Sequence, residues 1–105
     1  MKKTNAYFAI LFGISAASAA IPAFAYNGEN LAKGAKLTMQ DAQSIALAAQ
    51  PGNIVDSELE NEGGGSGLRY SFDIKPENGG GAHEVGVDAL TGKLLENTVE
   101  GANPD

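Results

Sequence analysis

The sequence predicts an α+β domain in which one N-terminal helix packs on a three- to four-stranded antiparallel meander sheet. Three observations carry that expectation. Apolar residues recur with a helical period over residues 37–50, a Pro-Gly pair then ends the pattern, and the period drops to two in the segments that follow. Glycine-rich connections separate those segments, as hairpins require. Two packed layers around one core suffice for a domain of this size.

The chain opens on Lys2 and Lys3, followed by an apolar stretch from Ala6 through Phe12. Small residues lead on to Ala23-Phe24-Ala25, an A-x-A site at which signal peptidase would cut before Tyr26. Pro22 breaks the helix just ahead of that bond. Residues 1–25 therefore read as a cleaved signal peptide. The competing reading, an uncleaved anchor, is weakened by Ser15, Ser18 and Pro22. The apolar stretch has no cysteine after it for a lipid and no twin arginine before it, so the general secretory route is expected. That places the mature protein in the periplasm or outside the cell, with no stable membrane anchor.

Cleavage leaves 80 of the 105 residues, enough for one small domain. The chain has no cysteine, which excludes disulfides, thiolate metal sites and thiol nucleophiles. Loss of Lys2 and Lys3 leaves five cations against thirteen carboxylates, a net charge of −8. Such a chain repels phosphate backbones and anionic lipid, so nucleic acid is not an expected partner.

Residues 26–36 show little periodicity and read as a flexible lead-in. Thr38 suits an N-cap, with Asp41 where a capping-box acid belongs and Leu37 and Ala42 at the staple positions. Met39, Ala42, Ile45, Ala46 and Ala49 fall on one stripe about 120° wide, and its alanines let the helix lie close to the layer beneath. Pro51-Gly52 stops the helix.

In residues 54–62, Val55, Ser57, Leu59 and Asn61 alternate with Asp56, Glu58, Glu60 and Glu62. Leu68, Tyr70, Phe72 and Ile74 then alternate with Arg69, Ser71, Asp73 and Lys75, and His83, Val85 and Val87 with Glu84, Gly86 and Asp88. Each run predicts a strand with one buried face. Residues 63–67 and 76–81 form the glycine-rich loops, residues 88–92 a tighter reversal, and residues 93–96 a last short strand. Residues 99–105 read as a frayed acidic tail. The expected core is Ile45, Val55, Leu59, Tyr70, Phe72, Ile74, Val85, Val87 and Leu94, each worth about 1.5–3 kcal/mol when fully buried.

Two stretches carry a family resemblance. Leu37-Thr38-Met39-Gln40-Asp41-Ala42 through Gln50-Pro51-Gly52 resembles the helix of PepSY domains. His83-Glu84-Val85-Gly86-Val87-Asp88-Ala89-Leu90-Thr91-Gly92-Lys93-Leu94-Leu95 is similar to the closing hairpin of that family. The resemblance implies a PepSY-like domain over residues 37–98 that binds another protein, a peptidase or a sensor ectodomain, and modulates it in trans. It supplies no catalytic set and no cofactor. The two long glycine loops and Gly86, where a bulkier residue is usual, depart from the pattern.

The residues themselves argue against an enzyme. His83 is the sole histidine, and neither Ser57, Ser66 nor Ser71 stands at a spacing that builds a nucleophile–base pair with it. One histidine without cysteine does not make a tetrahedral zinc site. The glycine loops lack the lysine and following helix of a phosphate-binding loop. The row Asp56, Glu58, Glu60 and Glu62 reads first as a solvated outer face, partly balanced by Arg69 and Lys75. A cation or small ligand held on that polar face is the alternative function. Candidate partner-binding residues are Leu47, which lies off the apolar stripe, and Asp56, Glu58, Glu60, Arg69 and Asp73 on the polar face. No catalytic, cofactor-binding or metal-ligating residues are expected.

Overall fold

The computed structural model describes residues 26–100. The expected signal peptide, 1–25, and residues 101–105 lie outside the described residues. Among the described residues one α-helix, α1 (Met39–Ala49), precedes four strands: β1 (Asn53–Asn61), β2 (Leu68–Lys75), β3 (His83–Asp88) and β4 (Leu94–Val99). They form one antiparallel sheet in the order β1-β2-β3-β4, so the expected α+β meander is the fold, with four strands.

Helix α1 starts where its caps dictate. The Thr38 hydroxyl accepts from the Asp41 amide, and the Asp41 carboxylate accepts from the Thr38 amide, both at 3.1 Å. This reciprocal pair satisfies two amides that the first turn leaves without helical partners. Replacing Thr38 by alanine is expected to cost about 1 kcal/mol. In a domain this small that lowers the melting midpoint by about 4–8 °C in a thermal scan.

The helix covers one sheet face, lying over β2 and β3 and reaching β4. Ala42 and Ala46 are fully buried, and without long side chains there the helix approaches the sheet closely. Beneath them lie Leu59, Tyr70, Phe72, Ile74, Val85 and Val87. The buried Tyr70 ring keeps its hydroxyl satisfied by donating to the Leu37 carbonyl at 2.7 Å. Burial, with Tyr26 beside it, pushes the Tyr70 phenol up to about 12. Ala49, the last helical residue, is exposed although the stripe includes it.

Two expected core residues lie elsewhere. Val55 is 62% exposed because β1 carries a bulge: Ile54 stands opposite Ile74 and Asp56 opposite Asp73, leaving Val55 as the extra residue. Ile54 takes the inward place instead. Leu94 is 40% exposed because it lies on an edge strand, with a neighbour on one side alone among the described residues.

Residues 26–36 also differ from the irregular lead-in expected of them. Glu29–Gly34 form a 3-10 helix, and Tyr26, Leu31, Ala32 and Ala35 pack against the core. Asn27 makes a parallel bridge with Glu58, its carbonyl accepting from the Leu59 amide at 2.9 Å. Gly28, at φ 87°, lies against the Leu59 carbonyl where a Cβ would overlap it, so glycine is required for this close approach. At the other end, β4 runs to Val99, and the Glu100 amide donates to the Ala82 carbonyl at 2.7 Å. The strand therefore takes in the first residue assigned to the tail.

Candidate functional site

The second sheet face is not covered by the helix. Directly opposed residues in an antiparallel pair point to the same side, so the register assigns this face row by row. Asp56, Asp73, Glu84 and Thr98 form one row; Glu58, Ser71, Gly86 and Glu96 form the next; Glu60, Arg69 and Asp88 form the third. Five of the six candidate partner-binding residues, Asp56, Glu58, Glu60, Arg69 and Asp73, thus share one surface. Leu47 does not join them: it is half-buried on α1 and packed against the core on the opposite side.

Arg69 is the buried cation of this face, whereas Lys75, on the same side of β2, is exposed. Its guanidinium lies over Gly86, where an added Cβ would come within 3.0 Å of Nη1. Nη2 donates to the Gly63 carbonyl at 3.0 Å, and Nη1 pairs with Glu96 at 3.3 Å. Nε is buried without a partner among the described residues. Gly86 therefore has a local reason: it is the gap that lets the arginine lie flat across the sheet. Glu60 turns to Ser71, whose hydroxyl donates to it at 2.8 Å.

The loop of residues 63–67 does more than reverse the chain. It carries Ser66 to Asp88, whose side chain is 1% exposed. The Ser66 amide donates to Asp88 Oδ2 at 2.7 Å and the Ser66 hydroxyl to Oδ1 at 2.8 Å. The amides of Leu90 and Thr91 donate to Oδ1 at 2.8 and 3.1 Å. A Cβ on Gly65, at φ 57°, would run into this carboxylate. Burial alone raises the Asp88 pKa, but the donors from Ser66, Leu90 and Thr91 outweigh it and hold the carboxyl well below the usual range. The adjoining Ala89 carbonyl accepts from Lys36 and Leu37, both at 3.0 Å. One turn thereby ties together the glycine loop, the β3–β4 hairpin and the approach to α1.

A family model described as "Peptidase propeptide and YPEB domain" matches residues 36–98, more than half of the chain. The protein belongs to the PepSY family. Neither the curated proteins nor the solved structures give a match. The match takes in α1 and the first three strands and ends one residue short of the end of β4. PepSY is a propeptide- or inhibitor-type domain, not a catalytic one, and its members are in general peptidase-related or protein-interaction modules.

The electrostatics of the PepSY sheet face follow from its excess of carboxylates. Burial, then neighbouring carboxylates, raises the pKa of Glu58, Asp73 and Glu84. Asp73, Glu84 and Glu100 bring one oxygen each to within 4.8 Å of one another. Three oxygens are fewer than the six to eight that calcium takes. The raised groups bind protons more tightly folded than unfolded, so they add stability as pH falls from neutral. Asp88 acts oppositely: its contribution is present above its unfolded value of 3.8 and is lost as pH falls further. Urea titrations across pH are therefore expected to show a stability maximum at about pH 4–5. A maximum at neutral pH would contradict this balance.

The histidine and two of the three serines weighed as base and nucleophile make other contacts. His83 Nδ1 lies 2.8 Å from Asn97 Oδ1, at the sheet margin on the helix side. The Ser66 and Ser71 hydroxyls each donate to a carboxylate, Asp88 and Glu60 respectively. Sequence reasoning missed the Asp88 site. Its signal was present in Asp88-Ala89-Leu90-Thr91-Gly92, where an aspartate accepts from amides two and three residues on and a glycine at φ 80° follows.

Proposed function

We propose that residues 1–25 export this PepSY domain and that the mature protein, outside the cytoplasm, binds a peptidase or a sensor ectodomain and modulates it without itself being an enzyme. The observation that carries the reading is the family match over the helix and sheet, a propeptide- and inhibitor-type unit. The polar face opposite α1 supports it, because five of its exposed or half-exposed side chains are carboxylates that the domain does not neutralise. Unpaired like charges held together cost stability, which a partner of opposite charge recovers on binding.

The test is cross-linked capture from the cell envelope with the wild-type protein and a Glu58→Lys/Asp73→Lys variant, followed by a peptidase assay on what is captured. The expected result is one peptidase or sensor ectodomain enriched by the wild type and lost with the variant. A peptidase so identified should change its rate when the purified PepSY protein is added. Equal enrichment by both proteins, or none by either, would count against this reading.

A further inference from the structure

The two edges of the sheet are not equivalent. On β1, the Asn27 carbonyl occupies the Leu59 amide, the Asn27–Glu58 bridge continues the pairing, and the bulge at Val55 interrupts the rest. Strand β4 also carries a bulge, but no segment pairs with its outer side among the described residues. Beyond its own bulge near Leu95, residues 96–99 run in regular register against β3. The Glu100 amide points to β3, where it donates to the Ala82 carbonyl. With the strand period of two, the amides of Thr98 and Glu96 also point to β3, and those of Asn97 and Val99 point to the open side. Leu94–Val99 contains neither lysine nor proline, the residues that commonly blunt such an edge.

The side chains flanking this edge differ by face. On the helix side stand Leu94, 40% exposed, and Val99, 46% exposed, with Asn97 between them. On the other side stand Glu96 and Thr98, with Glu84 and Glu100 next to them. A strand laid along β4 would have its alternate side chains divided between an apolar margin and a carboxylate margin.

We propose that β4 is the docking edge for an extended polypeptide segment in which apolar residues alternate with lysine or arginine, added to the sheet as a fifth strand. The proposal rests on the reading of the protein as a partner-binding module and specifies the chemistry of the partner. Backbone pairing to Asn97 and Val99 supplies affinity, and the alternation supplies specificity. A second copy of this chain is a poor occupant, because antiparallel pairing of two β4 strands gathers Glu96 and Glu100 of both copies on one margin.

The test uses synthetic probes and needs no native partner. Fluorescein-labelled, end-capped Lys-Val octapeptides in strict alternation are titrated against the purified protein. A four-lysine, four-valine block peptide serves as the control of equal charge and composition, with an alternating Glu-Val peptide as the charge control. The alternating cationic peptide is expected to bind at least about tenfold more tightly than either control, shifting the amide resonances of Asn97 and Val99. Asn97→Pro removes an amide that serves no β3–β4 bond and should weaken binding by about tenfold or more. Glu84→Lys/Glu96→Lys, a second variant independent of backbone effects, should reverse the preference towards the Glu-Val peptide. Equal binding of block and alternating peptides, unchanged binding by either variant, or no binding would overturn the proposal. If those outcomes occur while the envelope capture still yields a partner, the docking edge alone is wrong; if capture also fails, the interaction reading fails with it.

Discussion

Replacing Asp88 by alanine is expected to destabilise the domain by about 3–5 kcal/mol, a large fraction of what a domain of this size has. The side chain is 1% exposed and accepts four hydrogen bonds from Ser66, Leu90 and Thr91. Bonds to an ionised acceptor are worth about 1.5–3 kcal/mol each when measured singly, and they do not add in a shared site. Alanine leaves three part-buried amides and a hydroxyl facing a small void. It also unties the glycine loop, since Ser66 reaches the sheet through this carboxylate. Asp88→Asn keeps the shape but sets an amide NH2 or a neutral oxygen against several donors, and should recover less than half of the loss. Urea unfolding at pH 7 measures both. A loss below about 1 kcal/mol for the alanine variant would mean that the turn and loop hold their geometry without the carboxylate.

The pattern of what was legible follows from the range of the interactions involved. Helix α1 was readable because its cap, stripe and stop are all local: Thr38, Asp41 and Pro51 act within a few residues of where they stand. The strands were readable because alternation is also local, and the acidic row Asp56, Glu58, Glu60 kept its outward face even through the bulge. The bulge itself was not readable. Ile54 and Val55 are interchangeable by composition, and the choice between them is made by the register with β2, which neither residue encodes alone. The lead-in was hidden for a related reason: the value of Gly28 lies in the Leu59 carbonyl pressed against it, thirty-one positions away. The candidate face was found as a row of charges, but its organisation was not. Arg69, Gly63 and Glu96 meet through the sheet and a loop, and Ser66 reaches Asp88 from the far end of a hairpin. Glycine loops give no side-chain signal of where they will fold.

Gly86 and Arg69 provide the second large effect, and it lies in their coupling. Gly86→Val is expected to cost about 2–3 kcal/mol, because its Cβ alone would stand 3.0 Å from Arg69 Nη1 and 3.4 Å from Arg69 Cδ. The guanidinium would have to lift away, giving up Gly63 and Glu96 while remaining partly desolvated. Arg69→Met should cost no more than about 1 kcal/mol by itself, since it removes the unpartnered Nε along with the two bonds and leaves Glu96, 30% exposed, able to reach water. In the methionine background the valine meets a flexible apolar chain instead of a fixed cation, and its cost should fall below about 1 kcal/mol. The double-mutant cycle is therefore expected to give a favourable interaction of about 1–2 kcal/mol between valine and methionine. Such a value would mark Gly86 as matched to the buried arginine beside it. Additive losses would place the valine clash elsewhere, against Glu96, whose Cβ is 3.4 Å from the same point.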